Sequence, residues 1–434
     1  MKILLTGATG YIGKRLLPVL VDAGHEVVCC VRDKSRFNPS EAIKQKIKII
    51  QIDLLDIESL YKIPNDIDGA YYLVHSMSKS TEYEKLELEC AINLRSALNE
   101  TNTKHVVYLS GIVNESELSN HLASRKNVEL ELNKGNYNFT SLRAGIIIGS
   151  GSASFEIIRD IAEKLPIMVA PKWLNTKCQP IGISDVIRFL SRSIFNVKTF
   201  NNNFDIGGPD ILSYKNMLLE YSRIRGLKRN IFIVPVMTPR LSSYWLYFVT
   251  STSYKLAVAL VNSMKVEVIC RDTTINNILE VNPQSYKQAI ANAFRKIESN
   301  HVVSSWKDAY SSSGNSDYIT DSINVPTFGC FIDQRKRVFI NKKECIEKIW
   351  SIGGETGWYY GDWLWRLRGH LDKLSGGVGL RRGRTNRNSL QAGEALDFWR
   401  VLYANNNEGR LLLYAEMKLP GEAWLEFKIV NDTL

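Results

Sequence analysis

The chain has 434 residues, more than one hydrophobic core usually organises, so we expect at least two domains. Hydrophobic residues make up 44% and charged residues 23%, which excludes a disordered, collagen-like or low-complexity chain. Lysine and arginine (55) exceed aspartate and glutamate (45) by 10, a balance that favours anionic partners without choosing among nucleotide phosphates, nucleic acid and lipid headgroups.

Cysteine usage and the N-terminus bear on the compartment. The seven cysteines form no CxxC pair and no Cys/His cluster at zinc spacing, so we expect reduced thiols and no metal. The opening sequence MKILLTG lacks the apolar stretch of a signal peptide, which favours a cytoplasmic protein. Residues 244–264 are the best membrane candidate, but Lys255 and a polar run at 250–253 interrupt them, so we expect a packed or surface-lying helix there.

Strand and helix patterns alternate through the first half of the chain. Such alternation implies right-handed crossovers and a parallel sheet, so the sequence predicts an α/β fold with a doubly wound parallel sheet. Between residues 155 and 298 helical character grows, and we expect a helical substrate cover over the carboxyl edge of that sheet. The predicted strands are residues 2–6, 26–31, 48–52, 69–74, 105–110 and 138–148, and the predicted helices are residues 11–23, 82–100 and 123–134.

A polar segment at residues 299–324 predicts a linker between a first domain, residues 1–298, and a second domain, residues 325–434. Six of the nine tryptophans lie from Trp350 onward. Residues 411–417 and 423–429 predict strands joined by a turn at 418–421, typical of a smaller α+β domain.

The first predicted strand leads through the sequence TGATGYIG, residues 6–13, into a predicted helix. The first glycine permits a tight turn, the second lets backbone amides approach a pyrophosphate, and the third lets the helix pack closely on the sheet. The helix N-terminus adds partial positive charge. This order of strand, glycines and helix predicts a dinucleotide site. The residues assigned to it are Thr6, Gly7, Thr9, Gly10, Tyr11, Ile12 and Gly13.

The tips of the second and third strands bear on the choice of cofactor. Arg32 can meet the 2′-phosphate of NADP, so we expect NADP, although Asp33 beside it keeps NAD possible. Asp53 either accepts a hydrogen bond from the adenine amino group or caps the segment that follows, and we also assign Leu54 to the cofactor site.

The glycine loop, the VVCCVRD strand end, Asp53-Leu54 and the segment YLSG at residues 108–111 together resemble the atypical short-chain dehydrogenases, in the branch near the NmrA-like and NAD(P)H-binding proteins. The resemblance covers roughly residues 1–290 and implies a Rossmann domain. It also implies that Ser110 hydrogen-bonds a substrate oxygen or orients the catalytic tyrosine.

The sequence departs from this family at the catalytic pair. Active members carry Tyr-x-x-x-Lys about a dozen residues after the serine, whereas this chain has HLASR at residues 121–125. His121 and Arg125 keep the i, i+4 spacing and can share one helix face. Histidine can shuttle a proton near neutral pH, and Arg125 can bind ribose or phosphate but cannot act as a base. The alternative is a surface histidine beside a structural arginine.

Two further features leave alternatives open. Arg143, in the strand LRAGIIIG, is positioned either to stabilise an anionic substrate or to form a structural ion pair. Residues 366–387 hold seven lysines and arginines against one acid, Asp372. Because no recognised nucleic-acid module surrounds them, we expect an anionic ligand or an inter-domain contact there, and no nucleic acid.

Residues 325–430 resemble an uncharacterised bacterial domain found fused behind such dehydrogenase-like proteins. The resemblance rests on IGGETGWYY, LWRLRG and AEMKLPGEAWL. It suggests a relation to helix-grip folds, in which a curved antiparallel sheet surrounds a long helix. The aromatic side chains either line an apolar pocket or fill a small core.

Three functions from different classes follow from these features. The first is an NADP(H)-dependent oxidoreductase acting on a carbonyl or enoyl substrate. The second is a non-enzymatic NADP(H) sensor, since the Tyr-x-x-x-Lys pair is missing at the position after Ser110 where active members carry it. The third is a hydrophobic-ligand carrier that acts through the C-terminal domain. The substrate and the oligomeric state do not follow from the sequence.

Overall fold

A computed structural model describes residues 1–34, 37, 39–74, 83–113, 120–234, 258, 261–262, 264–298, 331–354, 356–374, 384, 390, 394–417 and 423–430. At residues 83, 120–122, 164, 296–298 and 373–374 the description covers the backbone only. The chain divides into two compact units, residues 1–34 with 39–306 and residues 35–38 with 307–434. The predicted linker, residues 299–324, lies outside the described residues, so its boundaries stay predictions.

The first unit contains a parallel sheet of seven strands in the order β11-β6-β5-β4-β1-β2-β3. The chain enters at the centre, winds outward through β2 and β3, and returns to β4 on the other side of β1, as a doubly wound sheet requires. Its strands are β1 (Lys2–Leu5), β2 (Glu26–Val31), β3 (Ile47–Gln51), β4 (Gly69–Tyr72), β5 (His105–Gly111), β6 (Asn138–Ala144) and β11 (Asn202–Ile206).

Helices connect these strands. The central strands are buried on both faces and therefore form nearly continuous apolar runs, as parallel strands do. The predicted doubly wound fold is confirmed, and each of the first five predicted strands overlaps an observed strand. The helices are α1 (Gly13–Asp22), α2 (Glu41–Lys44), α3 (Ile57–Leu60), α4 (Tyr83–Asn99) and α5 (Asn120–Leu132).

The single strand predicted at residues 138–148 is wrong. Backbone pairing stops at Ala144 and resumes in a separate strand, β7 (Ile147–Ile148), which leaves the main sheet and pairs with β10 (Ile181–Gly182). Gly145 lies at the break, where a Cβ atom would be 3.0 Å from the carbonyl oxygen of Gln179. The chain turns there because a neighbouring backbone segment passes close by.

The region after β7 packs around its own core, in which Phe155, Tyr221 and Phe294 contact each other through their rings. Helices predominate, as predicted, and three short two-stranded sheets accompany them. The helices are α6 (Ala153–Lys164), α7 (Ile183–Ser193), α8 (Tyr214–Ile224), α9 (Thr274–Ile278) and α10 (Tyr286–Glu298), and the remaining strands are β8 (Ile167–Pro171), β9 (Lys177–Cys178), β12 (Leu212–Ser213) and β13 (Asn230–Val234).

The second unit holds an antiparallel sheet of four strands with two helices packed on it. The predicted smaller α+β domain is confirmed, whereas the helix-grip relation stays a prediction. Its helices are α11 (Lys342–Trp350) and α12 (Asp362–Leu374), and its strands are β14 (Ala395–Leu396), β15 (Trp399–Asn405), β16 (Arg410–Ala415) and β17 (Trp424–Lys428).

Within the described ranges, no helix has the length and apolar character needed to cross a membrane. Most of the candidate at residues 244–264 lies outside those ranges.

Candidate active site

The glycine loop lies where β1 ends. Gly7 has a φ of +70°, and a Cβ atom on it would be 2.6 Å from the carbonyl oxygen of Leu73, just beyond β4. A Cβ atom on Gly13 would be 2.2 Å from the carbonyl oxygen of Gly7. Both distances are shorter than any side chain tolerates, so this loop is folded tightly on itself and against the end of β4.

The loop leaves main-chain donors available. The Gly10 N–H donates to the Gly7 carbonyl over 2.9 Å and closes the turn. Among the residues that the structure describes, the N–H groups of Ala8, Thr9 and Ile12 donate no hydrogen bond. Helix α1 begins directly after them, so its positive dipole end lies at the same place. Such an arrangement can bind an anion such as a pyrophosphate.

Two side chains of the loop serve the protein itself. The buried Thr6 hydroxyl donates to the Tyr71 carbonyl over 2.9 Å and accepts from the Leu73 N–H over 3.3 Å, which joins the ends of β1 and β4. The Tyr11 hydroxyl donates to the Ser150 carbonyl over 3.3 Å. Burial raises the pKa of Tyr11 to about 12, while the charge of Arg15 acts in the opposite direction.

Arg15, on the first turn of α1, completes this contact. Its guanidinium carbon lies 4.1 Å from the centre of the Tyr11 ring, and its Nη2 donates to the Ser150 carbonyl over 2.8 Å. A Cβ atom on Gly149 would be 2.7 Å from the Tyr11 hydroxyl. Tyr11 and Arg15 therefore hold the glycine loop against the segment that follows β7. The sequence prediction missed Arg15, whose partner is 135 residues away.

The carboxyl ends of β2 and β3 lie at the same edge of the main sheet as the glycine loop, on one side of it. The side chains of Arg32 and Asp53 are exposed, whereas Leu54 is buried. Burial raises the pKa of Cys90 on α4 to about 12, and the charge of Asp53 adds to this shift while that of Arg32 opposes it. The charges of Arg32 and Asp53 therefore both act on the Cys90 thiol.

Asp53 also has a local structural role. Its Oδ1 accepts from the Leu55 N–H over 3.1 Å, but the residue that caps α3 is Asp56. Both alternatives for Asp53 stay open, because a second carboxylate oxygen remains beside this turn.

Ser110 lies near the carboxyl end of β5, two strands from the glycine loop. Its Oγ is buried and lies beside the Tyr108 hydroxyl, but no contact with the described residues reaches full hydrogen-bond geometry. Burial raises the pKa of Tyr108 to about 12, while the charge of Arg125 and the Ser110 hydroxyl act in the opposite direction. Ser110 and Arg125 therefore both act on the Tyr108 phenol.

Helix α5 carries His121 and Arg125 one turn apart, as their spacing predicts. The His121 side chain lies outside the described atoms, so its predicted role is not tested. Arg125 is half-buried, and its Nε has no hydrogen-bond partner in the described part of the chain.

A partly buried ion pair fixes α5 to the sheet. The Glu129 carboxylate accepts from Ser141 Oγ over 2.6 Å, from Arg143 Nε over 3.0 Å and from Arg143 Nη2. Its partners lie on β6, so these contacts set the height of the helix above β5 and β6. Of the two roles left open for Arg143, the structure shows the ion pair, and the pKa of Arg143 is raised mainly through its bonds to Glu129.

Sequence reasoning missed three residues of this cluster. Tyr108 precedes Ser110 by two positions and so shares its strand face. Glu129 follows Arg125 by four, which puts it on the same face of α5. Glu87, on α4, accepts from Ser124 Oγ over 2.5 Å. The first two spacings were visible in the sequence, but the contact between α4 and α5 was not.

In the second unit four aromatic side chains pack together in the core. The rings of Trp358, Trp365, Phe398 and Trp399 lie 5.1–6.4 Å apart, centre to centre. Two cations of the basic segment have internal partners: Arg366 pairs with Asp362 at 2.9 Å, and Arg384 Nη1 donates to the Ile352 carbonyl over 2.8 Å. Much of the rest of that segment lies outside the described residues.

A doubly wound parallel sheet with a glycine loop at the β1 tip and a helix N-terminus behind it defines a dinucleotide-binding Rossmann domain. Comparison with known families agrees: residues 7–158 match a family described as NAD(P)H-binding. Residues 331–433 match a family described as "Protein of unknown function (DUF2867)". The chain therefore carries a segment similar to NAD(P)H-binding Rossmann domains, followed by a segment similar to a family of unknown function.

Individual relatives match about half of this chain. The chain is 24% identical over 254 residues to divinyl chlorophyllide a 8-vinyl-reductase of Cucumis sativus, covering 54% of this chain and 59% of that protein. It is 27% identical over 216 residues to the photosystem II assembly factor Ycf39 of Trieres chinensis, covering 48% of this chain and 64% of that protein. The chain thus spans about three fifths of these relatives.

Among solved structures, UDP-glucuronic acid 4-epimerase from Bacillus cereus in complex with NAD superimposes with a TM-score of 0.51. The two chains are 16% identical, and the match covers 69% of this chain and 99% of the epimerase. This likeness shows the fold alone.

Proposed function

We propose that this protein binds NADP(H) and exchanges a hydride between the nicotinamide and a carbonyl or enoyl substrate. The observation that carries the proposal is the glycine loop, where the amides of Ala8, Thr9 and Ile12 are left without acceptors among the described residues. A packing turn needs its glycines for space but has no use for unsatisfied donors at a helix N-terminus.

The preference for NADP rests on Arg32. Its exposed side chain lies at the tip of β2, the strand whose end meets the adenosine ribose in dinucleotide-binding folds. A guanidinium there can bind the 2′-phosphate with two parallel hydrogen bonds. The cysteines at the described positions are free thiols, which suits our expectation of a cytoplasmic site.

The residues that we assign to catalysis lie at the carboxyl end of β5 and on α5. The bound nicotinamide supplies the hydride, and reduction of a carbonyl also consumes one proton. Ser110 donates a hydrogen bond to the substrate oxygen, His121 delivers the proton, and Arg125 holds the nicotinamide ribose or a cofactor phosphate. The Glu129–Arg143 ion pair supports this assignment because it holds α5, and with it His121 and Arg125, beside β5.

Calorimetric titration with NADPH and NADH tests the cofactor assignment. We expect micromolar binding of NADPH and a preference over NADH that falls about tenfold or more in Arg32→Ala, since charge-assisted bonds contribute roughly 1.5–3 kcal/mol. Lys34→Ala, which removes an exposed cation two residues away, is the matched control and should keep the preference. Equal affinity for both cofactors in the wild type would contradict the NADP assignment, and binding of neither would contradict the whole proposal.

A second function, a non-enzymatic NADP(H) sensor, is favoured by one observation. The Ser110 hydroxyl is buried beside Tyr108, in a segment that no Tyr-x-x-x-Lys pair follows about a dozen residues later. A sensor predicts NADPH binding without NADPH oxidation across a panel of aldehydes, ketones and enoyl compounds. Turnover that disappears in Ser110→Ala and in His121→Ala favours the enzyme. Turnover that survives the double variant removes both residues from the mechanism.

A further inference from the structure

A small polar pocket opens beside the ends of β5 and β6, next to the residues assigned to catalysis. It has a volume of about 160 Å³ and is lined by one apolar residue, one carboxylate and three cations. The lining residues are Val113, Glu129, Lys126, Arg143 and Arg271.

The walls of this pocket are fixed by contacts within the first unit. Arg143 is held by Glu129, and Arg271 Nη2 donates to the Val113 carbonyl over 2.8 Å. The backbone N–H of Arg271 donates to the buried Asp205 carboxylate over 3.0 Å, and Asp205 lies opposite Arg143 in the β6–β11 register. Among the described residues, three cations and two carboxylates therefore lie at or beside the pocket, an excess of one positive charge.

That charge resides on Lys126. Its side chain is exposed on α5, and it has no carboxylate partner among the described residues. By contrast, Lys134 on the loop after the same helix pairs with Glu131 at 2.6 Å. A lysine at the mouth of a pocket whose other charges are balanced inside the protein can take an anion from outside.

The size of the pocket limits its ligand. A volume of about 160 Å³ is below the ~300 Å³ of the smallest usual small-molecule pockets. A carboxylate or phosphate group fits this space, whereas a nucleotide does not. We propose that the pocket binds one oxyanion group, a carboxylate or a phosphate, of the substrate.

The position of the pocket connects this group to the reaction. Ser110 lies directly opposite Arg143 in the β5–β6 register, and neighbouring strands are about 4.8 Å apart. Resting on the proposed function, the inference defines the substrate class as an anionic carbonyl or enoyl compound whose charged group lies close to its reducible bond. Lys126 then acts in specificity, with Arg143 and Arg271 as the fixed walls.

The test is a calorimetric titration of the full chain with sodium phosphate and, separately, sodium acetate, at an ionic strength held constant with NaCl. Saturating NADP⁺ fills the glycine loop, so phosphate bound there does not contribute. We expect millimolar binding of at least one anion, weakened about tenfold in Lys126→Gln. Lys134→Gln is the control and should bind as the wild type does, within twofold.

Four results are distinguishable. Lys126-dependent binding of acetate alone supports a carboxylate substrate, and such binding of phosphate alone supports a phosphate ester. Equal affinities of the wild type and Lys126→Gln for both anions overturn the inference, while NADPH binding measured in separate cofactor-free samples of the same proteins leaves the proposed function intact. Failure to bind NADPH overturns the proposed function, and with it the assignment of this pocket to a substrate, whatever the anion titration gives.

Discussion

The two ends of the carboxyl edge of the main sheet are built differently. At the β1 end, the ligand-facing groups are main-chain amides whose position is set by glycines that exclude a Cβ atom. At the β5 end, the candidate groups are side chains, and the protein itself uses many of them: Glu129 holds Ser141 and Arg143, while Tyr108 lies against Ser110. The first end has the main-chain geometry that we propose binds a phosphate. The second is organised first for holding α5.

Because of this difference, the two ends support different parts of the proposed function. A backbone cradle binds pyrophosphate whichever reaction follows, so it supports both the oxidoreductase and the sensor. The side-chain cluster at β5 decides between them, because hydride transfer to a carbonyl needs a proton donor there. Variants that separate the roles of the two ends therefore test the account.

The largest expected effect is loss of the α5 anchor. Glu129→Gln removes the hydrogen-bonded counter-charge of the half-buried Arg143 guanidinium, and we expect a cost of about 3 kcal/mol of unfolding free energy, the lower end of the range for buried ion pairs. Urea unfolding measures it. Glu220→Gln, which breaks the exposed pair with Arg223, is the control and should cost less than about 1 kcal/mol. A loss at Glu129 no larger than at Glu220 would show that the β5 end does not depend on this anchor.

The opposite end of β5 provides a second comparison. His105 is fully buried, its Nδ1 accepts from the Phe195 N–H over 2.9 Å, and its Nε2 therefore carries the proton and donates to Thr140 Oγ1 over 2.8 Å. Burial lowers the pKa of His105 to about 4, from 6.5. The folded state thus takes up this proton later than the unfolded state, so stability is complete above pH 6.5 and falls as the pH drops towards 4.

We expect this group to remove about 3 kcal/mol of stability by pH 4, at 1.36 kcal/mol for each unit between the two pKa values. Urea unfolding at a series of pH values measures the loss. His105→Gln should be less stable at pH 7 and should lack this part of the pH dependence. An identical slope in the wild type and the variant between pH 6.5 and 4 would assign the acid sensitivity to other groups.

The glycine loop is tested by a pair of alanine variants with matched backbone strain. Gly7 and Gly24 both have positive φ, +70° and +79°, but a Cβ atom on Gly24 meets nothing within 4 Å. Gly7→Ala should weaken NADPH binding on the order of 100-fold, or ~2.7 kcal/mol, because the loop must shift away from Leu73. Gly24→Ala should lower the unfolding free energy by only about 1 kcal/mol, through backbone strain. NADPH fluorescence titration that finds equal affinities for the two variants would separate the loop from the cofactor.

The smallest effect is expected at Ser110. Because Ser110 Oγ lacks a full hydrogen bond among the described residues, Ser110→Ala should change the unfolding free energy by less than about 1 kcal/mol. Ser141→Ala, on the neighbouring strand, removes a bond to the Glu129 carboxylate and should cost roughly 1.5–3 kcal/mol. If Ser110→Ala proves the more destabilising of the two, the serine is structural and the sensor becomes the better account.

What the sequence could predict follows the same division. The glycine loop and the strand 26–31 depend on local pattern, and the observed β2 has those bounds. The break at Gly145 and the partner of Arg143 depend on segments far along the chain, Gln179 and Glu129, so local pattern left the first unseen and the second undecided. Tyr11 combines both cases. Its place in the loop could be predicted from local pattern, but its hydrogen bond to the distant Ser150 could not.

The most direct test of the central claim is a crystal structure of the full chain grown with NADPH. We expect the pyrophosphate oxygens within hydrogen-bond distance, about 2.7–3.2 Å, of the amide nitrogens of Ala8, Thr9 and Ile12. A pyrophosphate bound elsewhere, or a glycine loop without it at a saturating concentration of cofactor, would contradict the account.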